Sequence, residues 1–535
     1  MNLLPDIPAE KVERFFMGLA IVLAIPALMI NLGVMANIDD EGIRSLVALE
    51  MDLSGNFIVP TMHGAYYYNK PPLYNWILWV FFSMFGNFEE FSARLVTVLS
   101  LGGYAATVYY FFKKEFSKKT AFLAAFMLIT CGRFLFYDSM LGLIDTCFSW
   151  VIFTLFMWVW TYFKKEAWWK LFIGVYVLTS LAFLMKGLPA LVFTGFTLLA
   201  WFIYNKRFWK LLSLPHFAGL GVLIVMVGSY YLAYHQYNDL LVVFKTLFNE
   251  SSKRTVIEFG WQDTVLHFFT FPFEQVYHFL PWSLFVIFLF QKGMFQKLKA
   301  QPFVVFLSLM FLVNILVYWS SVQVYPRYLL MFPPLVFGVF LYAAQSSERN
   351  WRHIGLEYLV GGVFSILFIA AWVPLFTDEL AMVSGRWWKS GIVSFLLLGL
   401  TLAFWKYKEQ RWLVFVSVLL TIRLAFDWYV IPHRLVHDRG SVMRLSCTET
   451  MQQNENYDWK VWDGTQVEQS QSFYLTRARK AIIPIDADGT PDENAVYIVE
   501  PNFYLENYRL DSLGRIEARH GASKYLKYGR IVPVN

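Results

Sequence analysis

The sequence predicts an all-α polytopic membrane protein with about thirteen transmembrane helices, followed by a small external α/β domain. Two features of the composition indicate a membrane protein: 57% of the 535 residues are hydrophobic and only 16% are charged. Soluble domains usually have about 45–50% apolar and about 25% charged residues, which argues against a soluble enzyme and a nucleic-acid-binding protein. The chain also contains 30 Tyr and 21 Trp, residues that are enriched at bilayer interfaces.

Thirteen apolar stretches approach the length that a membrane-spanning helix needs, about 17–25 residues. They cover residues 13–36, 91–112, 119–137, 143–163, 169–185, 187–204, 213–234, 276–291, 302–320, 325–345, 355–376, 389–407 and 411–431. The first stretch is not predicted to be a cleaved signal peptide, because it is too long and further spans follow it.

The distribution of positive charge predicts the orientation, since cytoplasmic loops are enriched in Lys and Arg. With the N-terminus in the cytoplasm, the six inner connections hold 18 Lys and Arg in 45 residues. The four outer connections hold four Lys and Arg in 62 residues. Because thirteen is odd, the C-terminal tail is predicted to lie outside.

Two domains follow from this topology: a transmembrane domain over residues 1–431 and an extracytoplasmic α/β domain over residues 432–535. In the first outer loop, residues 37–90, the aromatic stretch Pro71–Phe85 is expected to lie along the interface. A span at that position would invert the charge pattern of everything downstream.

The C-terminal tail is predicted to contain both helix and strand. The tail combines a helix-like segment, Ser441–Gln453, with a strand-like run, Ala495–Val499.

The three cysteines form no disulfide or zinc pattern, and the nine histidines show no metal-ligand spacing. The sequence therefore predicts no metal and no cofactor.

Ionisable residues near membrane depth are costly, and the topology brings those of this chain to the outer surface. They are far apart in the sequence: Asp39, Asp40, Glu41, Lys70, Asp138, Asp145, Lys186 and Arg327. Ligand sites are concave and are built from a few converging polar groups, so this convergence predicts a site.

Three of the acids are candidate catalytic residues: Asp40, Glu41 and Asp145. Paired carboxylates can supply a general base and an electrostatic stabiliser. Asp145 lies in a mostly apolar run, which solvation does not explain. The alternative interpretation of Asp40 and Glu41 is a solvated loop end, and Asp138, nearer the turn, fits a structural role.

The cations Lys70, Lys186 and Arg327, with Tyr328 beside the arginine, are candidates for binding an anion such as phosphate. The apolar flanks suit a lipid tail. Lys186 could instead extend to the interface, and Arg327 could be an interface anchor. Arg327 lies on the side that is poor in positive charge, which argues against a role in setting topology alone.

The ordered set of motifs resembles the GT-C polytopic glycosyltransferases, in particular the bacterial branch of aminoarabinose transferases and its relatives, the protein O-mannosyltransferases. Five motifs carry the resemblance: Asp40-Glu41-Gly-Ile-Arg44, Lys70-Pro-Pro-Leu-Tyr-Asn-Trp76, Leu143-Ile-Asp145, Phe183-Leu-Met-Lys-Gly187 and Pro326-Arg-Tyr-Leu-Leu330. They occur in the family's order over residues 38–330.

The resemblance implies a GT-C fold and an inverting glycosyltransferase. The donor would be a sugar on a polyprenyl-phosphate carrier, and the acceptor lipid A, another glycolipid, a glycan or a protein. It implies that Asp40 is the base, that Asp145 positions a substrate sugar, and that the three cations hold the donor phosphate. It also implies a bacterial inner (plasma) membrane, with the site in the periplasm. Asn69 departs from the Glu that aminoarabinose transferases tend to carry.

Two other functions fit a polytopic chain. A flippase for lipid-linked sugars would also bind lipid phosphate, but transporters place their charged site near the midplane between repeats. No repeat is visible here. A membrane scaffold that acts through the tail would leave the outer acids and cations unexplained.

Overall fold

A computed structural model describes residues 8–38, 40–252, 256–487, 489–505, 507–520 and 524–534. The helices of the first part of the chain are α1 (Ala9–Met29), α2 (Asp40–Ser54), α3 (Leu73–Phe85), α4 (Glu90–Phe112), α5 (Lys118–Thr130), α6 (Ile144–Lys164), α7 (Trp168–Lys186), α8 (Pro189–Tyr204) and α9 (Leu214–His235). Those that follow are α10 (Leu240–Ser252), α11 (Val256–His278), α12 (Met294–Ala300), α13 (Pro302–Trp319), α14 (Pro333–Ser346), α15 (Trp351–Ala370), α16 (Val373–Phe376), α17 (Arg386–Lys406), α18 (Arg411–Ala425), α19 (Ile431–His437), α20 (Arg439–Gln453) and α21 (Gln469–Arg479).

The protein is mostly helical, and nine helical segments in the described ranges are long and apolar enough to cross a membrane. They match nine of the thirteen predicted stretches: Ala9–Met29, Glu90–Phe112, Ile144–Lys164, Trp168–Lys186, Leu214–His235, Pro302–Trp319, Trp351–Phe376, Arg386–Lys406 and Lys408–His437. Nine of the about thirteen predicted transmembrane helices are therefore present as long apolar helices in the described part of the chain.

The other four stretches are shortened or broken. The 119–137 stretch forms the 13-residue α5 and then a π-helical turn, Phe134–Asp138. The 276–291 stretch is broken at Pro281, and the 325–345 stretch starts as a 3₁₀ turn before α14. Proline removes a backbone donor and interrupts helical hydrogen bonding, which the apolar content of these stretches does not reveal. The fourth stretch gives α8, which has only 16 residues.

One continuous apolar core joins the described helices from α1 to α18, apart from the short α16. Within it, α1 packs on α18, α4 on α5 and α6, and α7 on α9. The helices α2 and α3, from the long loop between α1 and α4, pack on each other, and α3 contains 13 residues, which is too few to span a bilayer.

The C-terminal region forms a mixed five-stranded sheet, as its strand-like runs predict. Its strands are β3 (Asp458–Trp462), β4 (Ile485–Asp486), β5 (Ala495–Val499), β6 (Tyr508–Glu517) and β7 (Tyr525–Pro533), while β1 (Thr61–Met62) and β2 (Ala65–Tyr66) form a hairpin in the first loop. The order is β4-β3-β5-β7-β6, parallel from β4 to β5 and antiparallel from β5 to β6. The helix α21 lies against α2 and α20, so the tail packs on the loop that follows α1.

Candidate active site

Four residues that the sequence singles out meet in one ion-pair cluster. Lys186 Nζ lies 2.5 Å from Asp145 Oδ1. Arg327 Nη2 donates to Asp40 Oδ2 at 2.7 Å, and its Nε lies 3.8 Å from Asp145 Oδ2. Arg327 therefore bridges the two carboxylates, and helices α2, α6 and α7 each contribute one charge.

The two carboxylates differ in their access to solvent. The Asp145 side chain is 5% exposed, whereas the Asp40 side chain is 51% exposed. Asp40 and Arg327 line a cavity of about 370 Å³ together with Arg133, Tyr137 and Gln469. Of the pair, Asp40 is thus the carboxylate that can touch a molecule in this cavity.

Aromatic rings surround the buried cations. Lys186 Nζ lies 4.1 Å from the centre of the Tyr328 ring and 5.1 Å from that of Phe148. The Arg327 guanidinium lies 4.7 Å from the Tyr325 ring. The negative faces of these rings attract cations, which helps to keep both charges in a largely desolvated place. Tyr328, predicted as a phosphate contact, thus faces Lys186.

Lys70 belongs to the same electrostatic environment, although it makes no ion pair with the described residues. Burial, and then the neighbouring charges of Arg44 and Lys186, lower the pKa of Lys70 to about 8. Glu250 and Asp145 act in the opposite direction. An ammonium group whose charge is disfavoured in this way would be stabilised by an added anion.

Arg44 is a site residue that reasoning from the sequence did not identify. It is buried on α2, one turn after Asp40, and donates through Nη2 to the Tyr67 hydroxyl. Its Nη1 has no hydrogen-bond partner among the described residues. A buried guanidinium nitrogen normally has a partner, so this donor is open to an acceptor atom from a ligand. The available signal was its position four residues from Asp40 on one helical face.

Glu41, predicted as a further catalytic acid, is not in this cluster. Its carboxylate is fully buried and accepts two hydrogen bonds from Arg94, at 2.7 and 2.9 Å. Backbone N–H groups of Gly142 and Ile38 donate to the same carboxylate at 2.7 and 3.0 Å. The structure therefore gives Glu41 the contacts of a residue that fixes α2 onto α4.

The C-terminal region holds the start of α2 from the other side. A Cβ at Gly42 would lie 2.5 Å from the backbone nitrogen of Ser470, so the two helices are in close backbone contact. The Tyr474 hydroxyl accepts from Asn37 N at 2.7 Å, and the Ser470 hydroxyl donates to Asn37 O at 3.0 Å. These contacts fix the position of Asp40, which is the first residue of α2.

The structure thus brings together Asp40, Asp145, Lys186, Arg327 and Tyr328, with Lys70 within electrostatic reach. Asp138 pairs instead with Arg133, at 2.8 Å from both Nε and Nη2. Asp39 lies outside the described residues. Within the described ranges, no group of three or more His, Cys, Asp and Glu side chains is arranged to hold a metal.

Comparison with known proteins identifies a family over part of the chain. Residues 69–231 match the family described as dolichyl-phosphate-mannose-protein mannosyltransferase, which confirms the resemblance that the motifs predicted. An uncharacterized protein of Aquifex aeolicus (strain VF5) is 26% identical over 362 residues, or 63% of this chain and 66% of that protein.

A second relative has a named activity. It is the undecaprenyl phosphate-alpha-4-amino-4-deoxy-L-arabinose arabinosyl transferase 1 of Proteus mirabilis (strain HI4320). It is 28% identical over 194 residues, which make up 35% of this chain and 34% of that protein. The chain thus spans from about a third to about two thirds of the length of these curated relatives.

A solved structure covers nearly the whole chain. ArnT from Cupriavidus metallidurans, bound to undecaprenyl phosphate, superposes with a TM-score of 0.68 and covers 98% of each chain. At 15% sequence identity, this likeness shows a common fold.

Proposed function

We propose that this chain, a polytopic relative of the dolichyl-phosphate-mannose-protein mannosyltransferases, transfers a sugar from a polyprenyl-phosphate carrier to an acceptor hydroxyl. The observation that supports the proposal most is the cluster in which Arg327 bridges the buried Asp145 and the half-exposed Asp40. In this cluster, the carboxylate of Asp40 faces a cavity and lies beside cations whose positions are fixed by ion pairs.

The cations are proposed to hold the donor phosphate. Arg44, Lys70, Lys186 and Arg327 outnumber the carboxylates Asp40 and Asp145, even when Glu250 is added. A sugar phosphodiester carries one negative charge, whereas the polyprenyl phosphate that leaves carries about 1.5–2 at pH 7. A surplus of positive charge therefore stabilises the leaving group more than the bound donor, and such a difference lowers the barrier.

Asp40 is proposed to be the general base. It accepts the proton of the acceptor hydroxyl while the hydroxyl oxygen attacks the anomeric carbon. The bond from that carbon to the phosphate oxygen breaks through an oxocarbenium-like transition state, and the configuration inverts. A positioned base typically contributes about 10²–10⁴-fold to the rate.

The finer assignments belong to the same proposal. The distribution of Lys and Arg supports an extracytoplasmic site, and the bacterial sources of the relatives support a bacterial inner membrane. The name of the Proteus mirabilis relative supports an undecaprenyl phosphate donor and a pentose-type sugar. A glycolipid such as lipid A, a glycan and a protein are the candidate acceptors. Asp145 is proposed to position Lys186 and Arg327, and Glu41 to support α2.

The test compares cells that lack the protein with cells that produce the wild type, Asp40→Asn or Glu10→Gln. Glu10 is an exposed residue of α1 and serves as the control. Mass spectrometry of lipids, glycans and proteins should find a product that is heavier by one sugar with the wild type and with Glu10→Gln. The product should fall by at least about 100-fold with Asp40→Asn. If the sidedness of a lipid-linked sugar changed without a new covalent product, a flippase would replace this proposal.

A further inference from the structure

A cleft of about 620 Å³ lies on the five-stranded sheet of the C-terminal region. It is lined by residues of β6 and β7, by residues 499–505, which lead out of β5, and by Asn507. The volume falls in the range of ligand sites, about 300–1,000 Å³. Among the described residues, none lines both this cleft and the Asp40 cavity, so the cleft is a second candidate binding site.

The cleft opens on the face of the sheet that points away from the membrane domain. Val496 and Ile498 of β5 pack against α20 and α21, and α21 in turn packs on α2. Val499 and Tyr508 line the cleft and belong to a separate apolar cluster on the opposite face. Because the side chains of a strand alternate between its two faces, the sheet separates the cleft from α21. A molecule bound in the cleft is therefore not the group that reacts at Asp40.

Hydrogen bonds hold the wall of the cleft in place without a ligand. The Glu500 carboxylate accepts from Gln466 N at 2.9 Å, and the Glu500 carbonyl accepts from Phe503 N at 3.1 Å. Farther along, the Asn507 carbonyl accepts from Val534 N at 3.0 Å, which joins this wall to the end of the chain. A preformed site loses less conformational entropy when a ligand binds.

The cleft is elongated along β7. Lys527 and Val534 both line it, and they are seven residues apart in nearly continuous strand, which is about 23 Å at 3.3 Å per residue. The backbone of β7 is already paired with β5 on one side and β6 on the other. It therefore offers no free edge to a peptide that binds by strand addition. The shape suits a linear chain that is recognised by side chains.

The side chains of the cleft combine aromatic rings with hydrogen-bonding groups. Tyr504 is 83% exposed, so its ring is free to stack on a ligand, and Tyr508 lines the same cleft. Glu500, Asn507 and Ser512 add carboxylate, amide and hydroxyl groups. A sugar ring has apolar faces, which pack on aromatic rings, and a rim of hydroxyl groups, which pair with such polar side chains. The lining is thus suited to a saccharide.

The charges of the lining favour an anionic ligand. Arg509 and Lys527 have no carboxylate partner among the described residues. Glu500 is the carboxylate of the described lining, and one of its oxygens already accepts from Gln466 N. The two cations can therefore pair with carboxylate or phosphate groups of a ligand.

We propose that this cleft binds an anionic oligosaccharide, a linear chain of sugars that carry carboxylate or phosphate groups. Tyr504 stacks on one of the sugar rings, and Arg509 and Lys527 pair with the anionic groups. This binding site goes beyond the proposed sugar transfer and does not depend on it, because the cleft is separate from the Asp40 cavity.

The test measures binding of oligosaccharides to the purified full-length protein by calorimetry. The probes are a galacturonic acid tetramer, a hyaluronan tetrasaccharide, the neutral maltotetraose and an acidic peptide of glutamates. Tyr504→Ala removes the exposed ring, and Lys527→Gln removes one cation. The matched controls are Leu513→Ala on β6 and Arg530→Gln on β7, since both residues are exposed and do not line the cleft.

At least one of the two acidic tetrasaccharides should bind more tightly than maltotetraose. Tyr504→Ala should weaken that binding about tenfold. Lys527→Gln should weaken it about threefold or more and leave maltotetraose unaffected. Both controls should bind like the wild type. All four variants should keep the wild-type unfolding temperature and affinity for undecaprenyl phosphate, which shows that they are folded.

Three results would overturn the proposal: no binding of either acidic tetrasaccharide at millimolar concentration, wild-type affinity in both Tyr504→Ala and Lys527→Gln, or equally tight binding of the acidic peptide. The one-sugar product in cells identifies the source of the saccharide. A lower product level with Tyr504→Ala means that the cleft holds a distant part of the acceptor, and an unchanged level means a separate glycan. If no product depends on Asp40, the proposed function fails while the saccharide still binds.

Discussion

Asp40 and Glu41 are adjacent in the chain, yet they belong to two ionic centres of opposite character. The Glu41–Arg94 pair is completely buried, and both Glu41 oxygens also accept backbone hydrogen bonds. The Asp40–Arg327–Asp145–Lys186 cluster has one carboxylate at a cavity and additional cations nearby. A saturated centre stabilises a fold, whereas a centre with an open carboxylate can act on a ligand.

Helix geometry explains how adjacent acids separate. Successive residues of an α-helix point about 100° apart, since a turn contains 3.6 residues. At the start of α2, Glu41 therefore faces α4, and Asp40 faces the cavity that Gln469 of α21 also lines. Variants of the two ionic centres should therefore separate effects on the stability of the protein from effects on its turnover.

Breaking the saturated centre should have the largest effect. Glu41→Gln leaves the Arg94 charge buried and unpaired, which typically costs about 3–5 kcal/mol. We expect a large fall in the unfolding temperature, measured by tryptophan fluorescence of the detergent-purified protein. Glu10→Gln breaks an exposed pair with Arg14 and should leave that temperature unchanged. A stable Glu41→Gln variant that lost only turnover would make Glu41 a catalytic residue.

Breaking the open centre at Asp145 should reduce turnover and leave the donor bound. Asp145→Asn removes the negative charge that holds Lys186 and Arg327, and we expect roughly a 10²–10³-fold loss of turnover. Undecaprenyl phosphate should bind at least as tightly, because one negative charge near its phosphate is gone. Asp427→Asn is the control, since it breaks another buried pair, with Arg423, that does not line the Asp40 cavity. Wild-type turnover with Asp145→Asn would contradict its positioning role.

The pH dependence of donor binding should report Lys70. Its pKa is lowered to about 8, so Lys70 is mostly charged at pH 7 and loses its charge as the pH rises to 9. The carrier phosphate, with its second pKa near 6, keeps its charge over this interval. A hydrogen bond to a charged group is worth about 1.5–3 kcal/mol, so affinity should fall about tenfold or more. Lys70→Arg should bind equally at both pH values. Wild-type binding that does not change between pH 7 and 9 would place the phosphate elsewhere.

The smallest effect is expected at Gln469, which brings the C-terminal region into the Asp40 cavity. An amide can donate to and accept from a hydroxylated head group, and such a bond contributes about 0.5–1.5 kcal/mol. Gln469→Ala should raise the acceptor KM roughly 2- to 10-fold and leave donor binding unchanged. Gln466→Ala, in the exposed segment before α21, should change neither value. An unchanged acceptor KM with Gln469→Ala would argue that this side chain does not touch the acceptor.

The sequence predicts much of the cluster because charge in an apolar setting is a strong signal. Asp145 and Lys186 stand in apolar runs, and Arg327 follows a span on the side that is poor in positive charge. The predicted topology places these three residues at one surface of the membrane. Strand and helix signals in the tail likewise predicted the strand Ala495–Val499 and a helix over Ser441–Gln453, which in the structure begins at Arg439.

The remainder depends on tertiary contacts that no local pattern encodes. Glu41 is distinguished from Asp40 by contacts with Arg94, which is 53 residues away, and with Gly142, which is 101 residues away. The missing partner of Arg44 Nη1 and the position of Arg133 and Tyr137 at the Asp40 cavity are visible only when distant helices are packed together. Hydropathy also cannot distinguish a continuous helix from a stretch broken at Pro281.

The division of roles between Asp40 and the cations is tested by measuring turnover and undecaprenyl phosphate binding on the same purified Asp40→Asn protein. Because Asp40 is assigned to proton transfer and the cations to the phosphate, turnover should fall by at least about 100-fold while the Kd for the carrier stays within about threefold. Turnover close to that of the wild type would contradict the assignment of Asp40 as the base.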